Sequence, residues 1–389
     1  MKSGFWLVAT TFLVAMAFST VPTPLWPLYQ AVDGFPTAMV TVAFSAYAVG
    51  VLVSLFLAGH VSDWVGRRRV LLPGVLLEIL AAVLFLTDHG LPVLIVARVV
   101  CGLGIGLITA TATAQLSDLA EHAGIRRSAH VAIAANLGGL GFGPLVSGIV
   151  ARYVGGPLTT VYAIFLVLLV LCALSIALVP ETVTASRRRY RPQRVSVPAT
   201  ARRRYFTVAV GAFASFALFG LFTSLTPKLL AASVGTTSVV VSGAVSCVVF
   251  VFGVLAQLGS DRLELDRQLA VGVALLVGGL ALLLAAGMAR SLSLFVGGGV
   301  LAGAGAGLLF KGAMGSAARL AAPAAKGEAV AGIFLAGYLG LTVPIMGLGA
   351  AARFVSLTTG LTAFCLVILA VLAGVGLQLR TLRAEVVDL

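Results

Sequence analysis

Gly59-His60-Val61-Ser62-Asp63-Trp64-Val65-Gly66-Arg67-Arg68-Arg69-Val70 stands between two apolar runs, near 38–58 and 70–87, and puts four charges and two glycines into one short break. A helix needs roughly 20 apolar residues to cross a bilayer, so each flanking run is the length of one span and the break is a tight polar turn between spans. Outward from this turn the same alternation covers the chain. Apolar runs fall near 5–29, 38–58, 70–87, 91–117, 128–152, 157–179, 206–230, 237–258, 268–288, 291–318, 328–352 and 358–379, twelve in all. The 389 residues are 60% hydrophobic and 10% charged, whereas a soluble domain holds roughly 45–50% and 25%, which excludes a water-soluble globule. Twelve spans use roughly 240 residues, and what remains makes loops and tails. The fold expected is an all-α membrane protein, with no catalytic domain outside the membrane.

The one long polar break, Pro180 to Tyr205, holds eight arginines and two further prolines and reads as a solvated cytoplasmic linker between halves 1–179 and 206–389. Lys and Arg are retained on the cytoplasmic side. With the N-terminus inside, 20 of the 26 basic residues fall on inner segments, Arg152, Lys228, Arg290 and Arg353 on outer ones, and Arg98 and Lys311 within spans. The expectation is a multi-pass protein of the cell membrane with both termini cytoplasmic. The net charge of +13 then follows from topology, so nucleic acid is not expected as a partner, while the bilayer is, with some attraction of the linker to anionic lipid. Met1 to Tyr29 is too long and lacks the small-residue cleavage pattern of a signal peptide, and is assigned to the first span.

The halves repeat at an offset near 200. Phe18 to Pro24 (FSTVPTP) parallels Leu221 to Pro227 (LFTSLTP), Gly102-x-Gly104-x-Gly106 parallels Gly303-x-Gly305-x-Gly307, and Pro144 parallels Pro344. Twelve transmembrane helices in two pseudo-symmetric six-helix bundles are expected, with a binding site near the midplane and alternating access to it.

The turn at 59–70 resembles the loop signature of the major facilitator superfamily, G-x-x-x-D-x-x-G-R-R, through Gly59, Asp63, Gly66, Arg67 and Arg68. As a gate, Asp63 would pair with Arg67 or with helix N-terminal dipoles and hold the inner side shut. A plain positive-inside anchor would need the arginines but neither Asp63 nor the glycines. The second-half loop, Gly259 to Arg267, keeps an acid and a base but has Glu264 at the glycine position, and reads as degenerate.

Span 4 is similar to the family's R-x-x-x-G pattern through Arg98 and Gly102, with Gly299 aligned to Arg98 in the second half. A guanidinium roughly ten ångströms inside the membrane must face water or a partner, and the resemblance implies a part in proton coupling. Span 5 resembles the G-x-x-x-G-P-x-x-x-G motif of drug:proton antiporters through Gly139, Gly143, Pro144 and Gly148. Four-residue glycine spacing makes a smooth contact face and the proline lets the helix bend.

The other candidate proton groups are Glu78, which reads equally as a structural acid or a proton carrier, and Asp33, expected in an outer loop. Lys311 reads as snorkelling to the inner interface or as a cavity charge. With Lys311, the polar candidates for binding substrate are Thr20, Thr23, Asn136, Thr223, Thr226 and Tyr338. The four cysteines sit singly in apolar runs and read as packing residues. No nucleotide-binding, metal-binding or hydrolase motif occurs, so neither enzyme, cofactor nor metal is expected. The resulting reading is a monomeric, proton-driven exporter of a small, amphipathic molecule by alternating access, whether drug or metabolite. Its alternatives are proton-coupled uptake of a metabolite and a non-transporting sensor.

Overall fold

The computed structural model describes the chain apart from residues 187–189, 191, 194–196, 199–200, 323–324 and 388–389, together with the side chains of 383–387. Arg187, Arg188, Arg189, Arg191, Arg194 and the side chain of Arg383, all counted in the charge argument, therefore lie outside the described residues. Twelve helices among the described residues are long and apolar enough to cross a membrane, and no strand occurs among them.

In chain order they are α1 (Lys2–Thr20), α2 (Thr37–Ala58), α3 (Arg67–Thr87), α4 (Leu91–Ala123), α5 (Ser128–Tyr153), α6 (Pro157–Ala177), α7 (Arg202–Ser224), α8 (Val239–Gly259), α9 (Leu265–Ala289), α10 (Leu292–Leu320), α11 (Lys326–Ala351) and α12 (Leu357–Val387). Large apolar side chains such as Val146, Leu174 and Val367 stand on exposed faces, as they must where the surroundings are hydrocarbon.

The chain divides into two compact units, Met1–Gln193 with Ser238–Cys247, and Arg194–Thr237 with Val248–Leu389. The first thus includes the opening residues of α8 and the first part of the linker. In that part, the Ser186 N–H donates to the Trp64 carbonyl at 3.0 Å and the Gln193 N–H to Phe56 at 3.0 Å. The Tyr190 hydroxyl donates to Leu57 at 2.9 Å, and its ring stacks on His60. A wholly solvated linker was expected, but these residues dock on the α2–α3 turn, where backbone carbonyls at the end of α2 need donors.

Each unit breaks its first helix at a Thr-Pro pair. Pro22 and Pro24 lack the N–H groups that would continue α1, so it stops at Thr20 and resumes as a short helix, Trp26–Asp33, closed by Gly34 at φ +68°. Pro227 does the same after α7, where Thr226–Val234 ends at Gly235 with φ +80°. The three-dimensional repeat extends to the helix contacts. A Cβ at Gly102 would overlap the Tyr47 carbonyl of α2, and one at Gly303 would overlap the Val249 carbonyl of α8.

Candidate gating and coupling site

Gly66 has φ +122°, which an L side chain rarely adopts, and α3 starts at the next residue. The exposed N–H groups of that first turn point at Glu181, whose carboxylate accepts from Arg67 N–H at 2.7 Å and Arg68 N–H at 3.1 Å. An acid at a helix N-terminus satisfies orphan donors and meets the positive end of the dipole. The Arg67 side chain faces the other way. Its guanidinium pairs with Asp63, donates to Ser62 at 2.9 Å, and reaches Asp118 of α4 through Nε at 3.0 Å. Asp118 also accepts from the Thr182 hydroxyl at 3.1 Å, and Arg68 donates to the Ala177 carbonyl at the end of α6 at 3.2 Å. Three acids and two arginines thus join the loop, α4, α6 and the linker's first residues within one unit. Gly59 closes α2 against the Leu55 carbonyl.

The pairing of Asp63 with Arg67 was legible in the loop signature; Asp118 and Glu181 were not. The apolar run ends near 117, but helix-forming residues carry α4 on to Ala123, where Gly124 at φ +69° stops it. Asp118 lies in that polar extension. Glu181 was assigned to a solvated linker; its signal is a lone acid four residues beyond the end of α6, just after Pro180.

At the other end of α4, Arg98 is 2% exposed. Its Nη1 donates to the Ser19 carbonyl at 2.6 Å, an acceptor freed where the prolines end α1. The guanidinium lies 4.6 Å from the Tyr47 ring centroid, 5.8 Å from Phe44 and 6.0 Å from Trp26, a cation–π enclosure. No carboxylate pairs with it among the described residues, and neither its Nε nor the Trp26 indole N–H has a partner. Tyr29 and Tyr162 share a hydroxyl–hydroxyl hydrogen bond of 2.9 Å beside this group, and Tyr162 stacks on Phe85 at 4.6 Å.

Glu78 of α3 is fully buried, and neither carboxyl oxygen has a hydrogen-bond partner. It lies against Gly104, where any Cβ would collide with Oε1. Asp33, expected in a loop, ends the short helix after α1 and accepts from the Leu91 N–H at 2.7 Å, so it caps the start of α4.

On α5, Gly139 stands against the Leu13 carbonyl and Gly143 against the Ala17 carbonyl of α1, with no room for a side chain at either. A Cβ at Gly148 would lie 2.6 Å from the Val239 carbonyl of α8, and the Pro144 carbonyl faces Gly243. The motif is therefore a backbone-to-backbone face on two sides of α5, next to a proline inside the helix.

Each polar candidate has surroundings within its own unit. Thr20 donates to the Leu140 carbonyl at 3.0 Å and bridges α1 to α5. Thr223 and Thr226 donate back to Phe219 and Phe222 within their own segment. Thr23 is buried, Asn136 half-buried. Tyr338 packs edge-on against Phe216 at 5.5 Å, beside Phe310 and Phe334. Lys311 sits at the end of its own network. Its ammonium donates to Gln257 O at 2.5 Å, Ser260 Oγ at 3.2 Å and Asp261 Oδ1 at 2.6 Å, so its three protons have three protein acceptors at the end of α8. The second-half loop also carries ion pairs, Asp261 with Lys311 of α10 and Asp266 with Arg204 of α7.

A 215-residue stretch is 31% identical to Multidrug resistance protein D of Escherichia coli, spanning 51% of this chain and 50% of that protein, and 79 residues are 30% identical to the Arabinose-proton symporter of Bacillus subtilis, 20% of this chain and 17% of that one. The chain thus spans about half the length, or less, of the curated relatives it matches. The human organic anion transporter MFSD10 (TETRAN) superposes with a TM-score of 0.72 at 16% identity, covering 97% of this chain and 99% of that one. The POT family transporter PepTSo gives 0.77 at 11%, covering 99% of each. The sequence profile of the Major Facilitator Superfamily matches residues 7–345, and with twelve apolar helices in two units the chain is a multi-pass membrane protein that belongs to this family of transporters.

Proposed function

We propose that the chain exports a small amphipathic molecule in exchange for protons, by alternating access, as a monomer in the cell membrane with the linker and both termini cytoplasmic. The observation that carries the reading is Arg98. A permanent charge roughly ten ångströms into α4 with no carboxylate partner is costly, and the aromatic enclosure and the Ser19 carbonyl only partly offset it. Such a group suits a site whose charge balance changes during a cycle. The Asp63–Arg67–Asp118–Glu181 cluster is the gating brace in this reading, and the α5 glycine–proline face supports export. So does the stretch shared with a multidrug resistance protein. The short stretch shared with a proton symporter favours uptake as the second reading.

The test is flux of a panel of lipophilic dyes and metabolites in vesicles of purified protein with an imposed pH gradient. Export predicts accumulation in inverted vesicles with an acidic lumen. Accumulation only in right-side-out vesicles with acid outside would establish uptake instead, and ligand-induced stabilisation without flux would establish a sensor.

A further inference from the structure

Two acids compete for the proton in the proposed cycle, and the structure treats them differently. Asp33 is exposed, and its carboxylate is engaged by the Leu91 N–H at the start of α4. Glu78 is enclosed on every side, eleven residues into the 21-residue α3, which puts it roughly 16 Å from the start of that helix and near its middle. A structural acid in a membrane span is normally paired. Glu78 has no ion pair among the described residues, and the only polar groups near its oxygens are the weakly donating Cys101 thiol and the Ile105 backbone, an arrangement that suits the neutral acid and is costly for a carboxylate.

The groups around it are few. From α4 come the Cys101 thiol and the Ile105 backbone, both near hydrogen-bonding reach of the carboxyl, and Arg98, whose charge acts on it. From α6 come Tyr162, whose hydroxyl meets Tyr29 and feels the same Arg98 charge, and more distantly along that helix Cys172. The packed part of α1 carries no titratable group, Lys2 being at its far end, and the short Ser62–Val65 helix offers only Asp63 at the gate. Among the described residues Arg98 is thus the one cation facing Glu78, and it keeps an unpartnered Nε.

We propose that Glu78 is the group that takes up and releases the coupling proton, while Asp33 is a helix cap outside the proton cycle. This deepens the proton-driven reading above and rests on it. On uptake a carboxylate oxygen forms an O–H bond and the side chain becomes neutral, as it stands here. On release the proton passes to water, and the carboxylate is left opposite the Arg98 guanidinium, so the bilayer interior carries a neutral pair. Nothing is oxidised or reduced. Arg98 is the positioning residue that makes the charged form tolerable.

The proton itself is the probe. In infrared difference spectra of purified protein between acidic and alkaline buffer, the wild type should show a carboxylic-acid carbonyl band that titrates. The band should be lost in Glu78→Gln, kept in Asp33→Asn, and moved in its pH midpoint by Arg98→Lys. Persistence of the band in Glu78→Gln, or its loss in Asp33→Asn, would overturn the assignment. Should Glu78→Gln fail to fold, a hydrophobic carbodiimide on the wild type decides. Adduct on Glu78 that falls as pH rises supports the proposal, and adduct elsewhere only refutes it. The two readings fail separately: wild-type flux indifferent to a pH gradient would defeat proton-driven transport, whereas driven flux that survives in Glu78→Gln would defeat this assignment alone.

Discussion

Where the first unit lays Glu78 beneath Gly104, the second lays Leu276 beneath Gly305. The scaffolds correspond closely: a Cβ at Gly104 would meet Glu78 and the Gly74 carbonyl, and one at Gly305 would meet the Leu276 N–H and the Gly272 carbonyl. The same holds nearly two turns away. In the first unit Arg98 reaches back to Ser19 past Tyr47; in the second, Gly299 leaves that space to Phe222 and Val249. The duplicated fold is therefore stable with hydrocarbon at both places. An unsatisfied buried polar group costs about 1–3 kcal/mol, so the first unit gives up packing energy at two positions where the second shows it need not. That difference points to chemistry in the first unit and scaffolding in the second.

The most drastic way to break the comparison is to make the first unit copy the second. Glu78→Leu should abolish pH-gradient-driven flux while leaving thermal stability equal or higher, measured by flux and by melting of the same purified protein. A lower melting temperature would mean that Glu78 is structural. Arg98→Ala should likewise lose driven accumulation yet keep substrate binding, and Arg98→Lys should recover part of it, because lysine keeps the charge but not the planar fork. Lost binding in the alanine variant would move Arg98 from coupling to recognition.

The gates offer a milder contrast. Asp63 is largely exposed, so its pair with Arg67 contributes only about 0–1 kcal/mol to stability. Asp63→Asn should therefore fold and insert normally while transport falls severely, and Asp261→Asn in the second unit should reduce it far less. Equal losses would show two working latches. The smallest effect is expected for Lys311→Gln, which breaks a partly exposed pair at the end of α8: a drop of about 1 kcal/mol or less in stability, with flux retained.

The fold was legible because hydropathy acts on every residue of a span, so twelve runs and an internal repeat survive any local irregularity. Gly66, Asp63 and Arg67 were legible because a positive φ and a compact ion pair leave fixed residue types at fixed spacing. What stayed hidden depends on contacts distant in sequence. Asp118 and Glu181 meet Arg67 from positions 51 and 114 residues away, and no spacing encodes that. The engagement of Lys311 by Gln257, Ser260 and Asp261 is equally remote in sequence, which is why its charge could not be placed from composition. Glu78 was found but not interpreted, since only the structure separates a paired acid from an orphaned one.

The grip of Glu181 on the start of α3 changes what counts as connector between the halves. With Ser186, Tyr190 and Gln193 also fastened to the α2–α3 turn, the stretch that sets the reach to α7 is counted from after Gln193 rather than from Pro180. Glu181, Ser186, Tyr190 and Gln193 act as a splint laid across the gate of the first unit. An insertion after Thr182 would therefore put Ser186, Tyr190 and Gln193 out of register with Trp64, Leu57 and Phe56, and would leave Glu181 in place on Arg67 and Arg68.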